Sequence, residues 1–347
     1  MNVLIKFSAV ALAAAALAPA NLADGRTPGS LLVYPVHNSN MGYITVLNVT
    51  NTKLTPILDQ FGNVSTNVHF EFVNALPTAN HYAPVCSVNN DVHPLTPADT
   101  LSFVTRCKNG PGQEGYVVAT AQDPAAFDRD WNFNHLIGSE LVVTPQGGVY
   151  ALNALSFKAV SGVEGSSTDL DGDSQADFDG AEYEGVPDEL YIDSNIAALG
   201  SSLALINLTG GTDFTAFVKF DAWNDNEKQL SATLAFKCWV EVQLDSIGGN
   251  GGPGTIFNEF YLFNNTLHDF RELDVDCDGV NDLETSWARI TGINASSNVE
   301  GIQDPALLGA ITGGDRGQFA VGRLLWESDA KQLNGDFLNF GGDDPEN

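Results

Sequence analysis

Along much of the chain apolar and polar residues alternate one for one. Val68, Phe70 and Phe72 share one parity while His69 and Glu71 hold the other, the two-residue period of a half-buried strand. Leu234, Phe236, Cys238, Val240, Val242 and Leu244 carry the same alternation over a longer run. The runs are punctuated by Gly, Asn, Pro and Asp, and long helical heptads are missing. This pattern predicts a mostly β protein.

Self-comparison then divides the chain. Residues 44–51 (ITVLNVTN) match 203–210 (LALINLTG), and 68–74 (VHFEFVN) match 218–224 (VKFDAWN). GYVVATAQD from Gly115 aligns with SWARITGIN from Ser286, and Leu136-Ile137-Gly138 with Leu307-Leu308-Gly309. Four blocks in one order predict two tandem immunoglobulin-like β-sandwich modules from an internal duplication, over 27–160 and 201–330. An acidic junction fills 161–200 and a polar tail 331–347. A jelly roll or one merged sandwich would show the same local pattern.

Four cysteines allow three complete pairings. Cys107 lies eight residues before Gly115 and Cys277 nine before Ser286, while Cys86 and Cys238 each follow the second block. Each repeat therefore holds one early and one late cysteine, which predicts Cys86–Cys107 and Cys238–Cys277. Each bridge would stabilise its own module by roughly 3–4 kcal/mol.

Lys6, the Ala/Leu stretch from Phe7 to Ala18 and small residues at Ala18, Ala20 and Ala23 form a secretory signal peptide over 1–23. Its Ala-rich core suggests a bacterial source and an extracellular, cell-surface or periplasmic address, where disulfides persist. Fifteen Lys and Arg against 44 Asp and Glu leave a formal charge of −29. Phosphate backbones and anionic membrane surfaces need clustered cations, so both are excluded as expected partners; no segment approaches the roughly 20 apolar residues of a membrane span, so membrane insertion is not expected either.

Part of that acidity is concentrated in two loops. One reads Asp274-Val-Asp276-Cys-Asp278-Gly279-Val280-Asn-Asp282, with carboxylates at positions 1, 3, 5 and 9, Gly at 6 and the Val280 carbonyl at 7. A hard cation takes six to eight oxygens, and alternate residues of a tight loop can all point inward. Four carboxylates about 5 Å apart repel by roughly 5 kcal/mol even in water, a penalty that a bound cation removes. The other loop admits two registers. Starting at Asp169 it offers Asp169, Asp171, Asp173 and Asp177 at 1, 3, 5 and 9, with Gln175 at 7; starting at Asp171 it reaches Glu182 at 12. The Asp169 register is favoured. These residues resemble the calcium loops of thrombospondin type 3 repeats, a pattern found in many secreted bacterial proteins. The resemblance implies structural calcium sites with Asp274, Asp276, Asp278 and Asp282 as ligands in one loop and Asp169, Asp171, Asp173 and Asp177 in the other, and Ser174 departs from the family's Gly.

Catalytic patterns are scarce. His37, His69, His81, His93, His135 and His268 lack paired ligand spacing, although His81 and His93 flank Cys86. No nucleophile elbow, phosphate loop or dinucleotide fingerprint occurs, and the glycines from Gly248 to Gly254 lack the Lys and helix that phosphate binding needs. Trp223 and Trp239, with Lys219, Asp221, Lys237 and Glu241, alternate opposite to the core parity. That face predicts either packing against the neighbouring module, the favoured reading, or glycan binding. The expectation is a non-catalytic, calcium-stabilised structural or adhesive protein, with a carbohydrate-binding protein second and a secreted hydrolase third. Its partners would be calcium ions and then surface or matrix proteins or glycans.

Overall fold

The structure is a computed structural model. It describes residues 27–55, 65–75, 86–126, 129–160, 162–173, 175–193, 201–209, 215–223, 229–248, 256–257, 287–293, 305–313, 322–332 and 335–337. Their regular secondary structure is almost entirely strand. The first half contains β1 (Leu31–Asn38), β2 (Ile44–Asn51), β3 (Thr66–Ala75), β4 (Cys86–Leu95), β5 (Thr100–Val104), β6 (Glu114–Gln122), β7 (Leu136–Val143), β8 (Val149–Asn153) and β9 (Leu155–Phe157). Between the halves lie β10 (Ala176–Phe178) and β11 (Val186–Pro187). The second half contains β12 (Glu189–Ile192), β13 (Ser201–Asn207), β14 (Thr215–Trp223), β15 (Gln229–Lys237), β16 (Trp239–Gln243), β17 (Trp287–Ile293), β18 (Leu307–Gly313), β19 (Arg323–Leu324) and β20 (Trp326–Glu327), followed by β21 (Lys331–Gln332) and β22 (Gly335–Phe337).

The first half forms two antiparallel sheets, β5-β2-β7-β8 and β4-β3-β6-β1-β9; the second forms β16-β13-β18-β19 and β15-β14-β17-β12-β20. Adding eleven to each strand number turns one pair of orders into the other. Registers agree too. Val73 faces Tyr116 and Trp223 faces Trp287, the pairs that the sequence blocks equate. The first block shifts, however. Leu136 and Leu307 face Asn51 and Asn207, so Asn207 corresponds to Asn51 and not to Asn48. Both are buried at a strand end, and the Oδ1 of each accepts the N–H two residues on, Lys53 at 2.9 Å and Thr209 at 3.1 Å. An Asx turn is what that asparagine is for.

An immunoglobulin constant domain shares the β2–β5 and β3–β6 pairings, but there the first strand lies beside the second and the seventh beside the sixth. Here β1 lies beside β6 and β7 beside β2. Strand β12 falls inside the segment read as a junction and belongs to the second sandwich, while β21 and β22 of the tail pair with β11 and β10.

Each sandwich has its own core. Leu32, Tyr34, Leu47, Val68, Phe70, Phe72 and Val117 fill the first, and Leu190, Ile192, Leu203, Leu205, Phe220, Phe236 and Ile290 the second. A third core joins them: Leu31, Val33, Tyr116 and Val118 from the outer face of β4-β3-β6-β1-β9 pack on Ala204, Ile206, Leu308 and Trp239 from the outer face of β16-β13-β18-β19. The four sheets thus stack in four layers. The two inner ones are covered on both faces, which is why β1 and β13 are buried at every position. Trp239 is one of the pegs, 5% exposed, with its Nε1 donating to the Pro35 carbonyl at 3.0 Å.

The cysteines correct the sequence expectation. The bridge joins Cys86 to Cys238, Cα atoms 6.6 Å apart, so neither Cys86–Cys107 nor Cys238–Cys277 forms. Cys107 is an exposed free thiol in the short helix α1 (Arg106–Asn109), and Cys277 lies outside the described residues. The reason is geometric. Cys86 opens β4 and points into the inter-module core, as does Cys238, so the bridge crosses between modules. Cys238 also interrupts the alternation read through it. With φ of 33° it marks the corner where the chain leaves the sheet of β15 for that of β16, as Ala98, φ 57°, does between β4 and β5.

Candidate metal centre

The acidic segment is held from both sides before it reaches any ligand. Ala176 and Phe178 of β10 and Tyr183 are buried in the inter-module core, where Phe178 meets Phe157 edge-on at 4.7 Å between centroids. The Tyr183 hydroxyl lies 3.1 Å from that of Thr168. Between these anchors the chain turns at Gly172 and Gly180, φ 85° and 80°, a backbone region open to glycine. Short Asx turns set the carboxylates: Asp169 Oδ1 accepts from Gly172 N–H at 2.7 Å, Asp171 from Asp173 N–H at 3.2 Å and Asp173 from Gln175 N–H at 2.9 Å. In this way the local sequence aims its acids at one another.

Two triads result. Carboxylate oxygens of Asp169, Asp171 and Asp173 lie within 4.8 Å of one another, and so do those of Asp171, Asp177 and Glu182. Asp171 belongs to both. The first triad is positions 1, 3 and 5 of the register starting at Asp169; the second is positions 1, 7 and 12 of the register starting at Asp171. The fold thus combines the two readings, and Glu182, set aside with the second register, enters the cluster. Its signal was legible as an acid twelve positions into an Asp-rich loop.

Glu182 is the buried member, 2% exposed. Its two oxygens accept the N–H groups of Leu170 and Asp177, the latter at 3.3 Å. Burial raises its pKa, those two N–H donors oppose the rise, and the charges of Asp169 and Asp171 add to it. A divalent cation would reverse that balance by favouring the ionised form. The donor set is all oxygen, which suits a hard cation and offers nothing to soft metals. The Gln175 side-chain oxygen is buried without a hydrogen-bond partner among the described residues. The second loop, Asp274, Asp276, Asp278, Val280 and Asp282, lies outside the described residues.

The other candidates separate. His81 lies outside the described residues, and His93 pairs with Asp91 at 2.9 Å on β4. His37 is buried and bonded to Asn74 at 2.9 Å; burial lowers its pKa to about 4, so it sits neutral in the core. Trp223 and Trp239, equal in the alternation, part company: Trp239 packs between modules, and Trp223 stacks on Trp287 at the far face of the second sandwich. No described helix is long and apolar enough to cross a membrane. Comparison with protein-family models, curated proteins and solved structures finds no match.

Proposed function

We propose that this chain is an exported, non-catalytic structural protein whose two β-sandwiches are locked into one rigid body and braced by calcium. The observation that carries the reading is the convergence of Asp169, Asp171, Asp173, Asp177 and buried Glu182 on a segment whose apolar side chains sit in the inter-module core. A cation there relieves repulsion among acids, and it does so where stiffening is transmitted to both sandwiches. The pairing of β10 with β22 ties that strand to the same segment. The inter-module disulfide and the signal-peptide pattern fit a protein that works outside the reducing cytoplasm.

Equilibrium dialysis against calcium tests the reading at the site itself. The intact chain is expected to bind calcium at about 0.1–1 mM, the range of extracellular sites. Asp171→Asn, which removes the residue shared by both triads, should abolish binding at this loop. Unchanged stoichiometry in Asp171→Asn would remove this loop from the account.

A further inference from the structure

The outward face of β15-β14-β17-β12-β20 points to a second activity, independent of the calcium brace. Even-numbered residues of β14 and β12 fill the second core, so Trp223, Tyr191 and their odd-numbered neighbours face away from it. Trp223 and Trp287 are paired across β14 and β17 and stack at 4.2 Å with 12° between their planes. Trp287 is 42% exposed and Trp326 61%. Arg289 lies over the Trp223 ring at 5.7 Å, faces Tyr191 in the next strand, and Tyr191 faces Trp326 in the one after. Aromatic rings gathered on one exposed face differ from the singly scattered apolar residues of an ordinary surface.

The groups between the rings are polar and already held in place. Asp221 accepts from Lys219 at 2.9 Å, Gln229 at 2.9 Å, Ser231 at 3.2 Å and Arg289 at 3.2 Å. These bonds outweigh the upward effect of burial and hold its carboxyl down at about 2. Glu189 takes Arg289 at 3.3 Å and the Tyr191 hydroxyl at 2.6 Å. The Trp326 indole N–H is fixed by Asp193 at 3.1 Å. The track ends in a groove of about 470 Å³ at the seam of the two modules, lined in part by Asn153, Asp193, Arg323, Trp326 and Glu327.

We infer that this face binds an extended, uncharged glycan chain. Pyranose rings present C–H groups on their faces and hydroxyls at their edges, so they match aromatic platforms interleaved with fixed polar side chains. From Trp287 to Trp326 is two strand spacings across and two residues along, about 12 Å, the reach of two to three sugar units. Charge argues for a neutral ligand: on a chain of −29, Lys219 and Arg289 here balance Asp221 and Glu189. A protein partner would favour a contiguous apolar patch with charge kept out of its centre, and here the charged groups lie between the rings.

The test titrates the full chain with cellohexaose, xylohexaose, mannohexaose and hexagalacturonate, followed by tryptophan fluorescence and calorimetry. At least one neutral sugar should bind saturably and shift the emission. Trp287→Ala and Trp326→Ala should each weaken it about tenfold or more while melting as the parent does, and Trp287→Phe should retain most of the affinity. The inference is overturned if no neutral sugar binds, if hexagalacturonate binds more tightly than all three, or if both alanine variants bind as the parent does. Capture of a protein that is lost in those variants, with no sugar binding, would replace it.

Discussion

Replacing both Cys86 and Cys238 by alanine probes how the two sandwiches are joined. The bridge spans 152 residues of sequence, from the start of β4 to the corner before β16. In the chain-entropy treatment a cross-link of that span stabilises the fold by about 5 kcal/mol, against about 3 kcal/mol for the short Cys86–Cys107 loop expected from the repeat. Spread over the unfolding entropy of a chain this size, about 0.7 kcal/mol/K, the loss corresponds to a melting temperature about 7 °C lower. Guanidinium unfolding of the double variant, and of the parent in reducing agent, should both show that loss. The slope against denaturant should rise as the unfolded chain expands. Cys107→Ala, at an exposed position, should change stability by less than about 0.5 kcal/mol. A Cys107→Ala cost as large as that of the double variant, or a non-reducing peptide map joining Cys86 to Cys107, would refute the inter-module bridge.

Substitutions at two further positions test the interior. Burial, with Asp130's charge beside it, pushes the carboxyl of Glu71 up to about 8. The proton it holds when folded stabilises the protein fully below about pH 4.5, and that contribution is lost as pH rises through about 8, at about 1.4 kcal/mol per unit. Glu71→Gln cannot ionise, so its advantage over the parent should grow by about 3.5 kcal/mol between pH 5 and pH 8; parallel melting-versus-pH curves would refute the shift. Trp239→Ala should cost about 3–5 kcal/mol in urea unfolding, as expected for a buried ring between modules, and Trp239→Phe much less. A neutral Trp239→Ala would mean that the third core contributes little.

How far the sequence foretold this fold depended on whether a signal was local. Alternation in VHFEFVN was local, and the mostly β character follows from it. The repeat also placed Gly138 beside Gly309, and both meet neighbours too closely for a side chain: an added Cβ would lie 2.3 Å from the Tyr34 hydroxyl oxygen and 2.9 Å from the Ala204 carbonyl oxygen respectively. The disulfide was not local. Pairing by repeat assumed that each module closes on itself, whereas Cys86 and Cys238 both face outward into a shared core that periodicity alone cannot assign. The asparagine shift had the same origin, since the text of the block favours Asn48 and only the partner strand shows that Asn207 stands where Asn51 does. At the acidic loop the spacing marked Asp169, Asp171, Asp173 and Asp177, but choosing one register hid Glu182, because a folded loop can satisfy two registers through a shared Asp171. Trp223 and Trp239 share a parity, and their different fates lie in which outer face the neighbouring module covers.

The calcium brace is tested most directly by melting the intact protein with calcium and then with EGTA. At ten times the dissociation constant one site adds about 1.4 kcal/mol, or about 2 °C for a chain of this size. The account predicts that rise, its reversal by EGTA and its reduction in Glu182→Gln. Identical melting curves in calcium and in EGTA would contradict it.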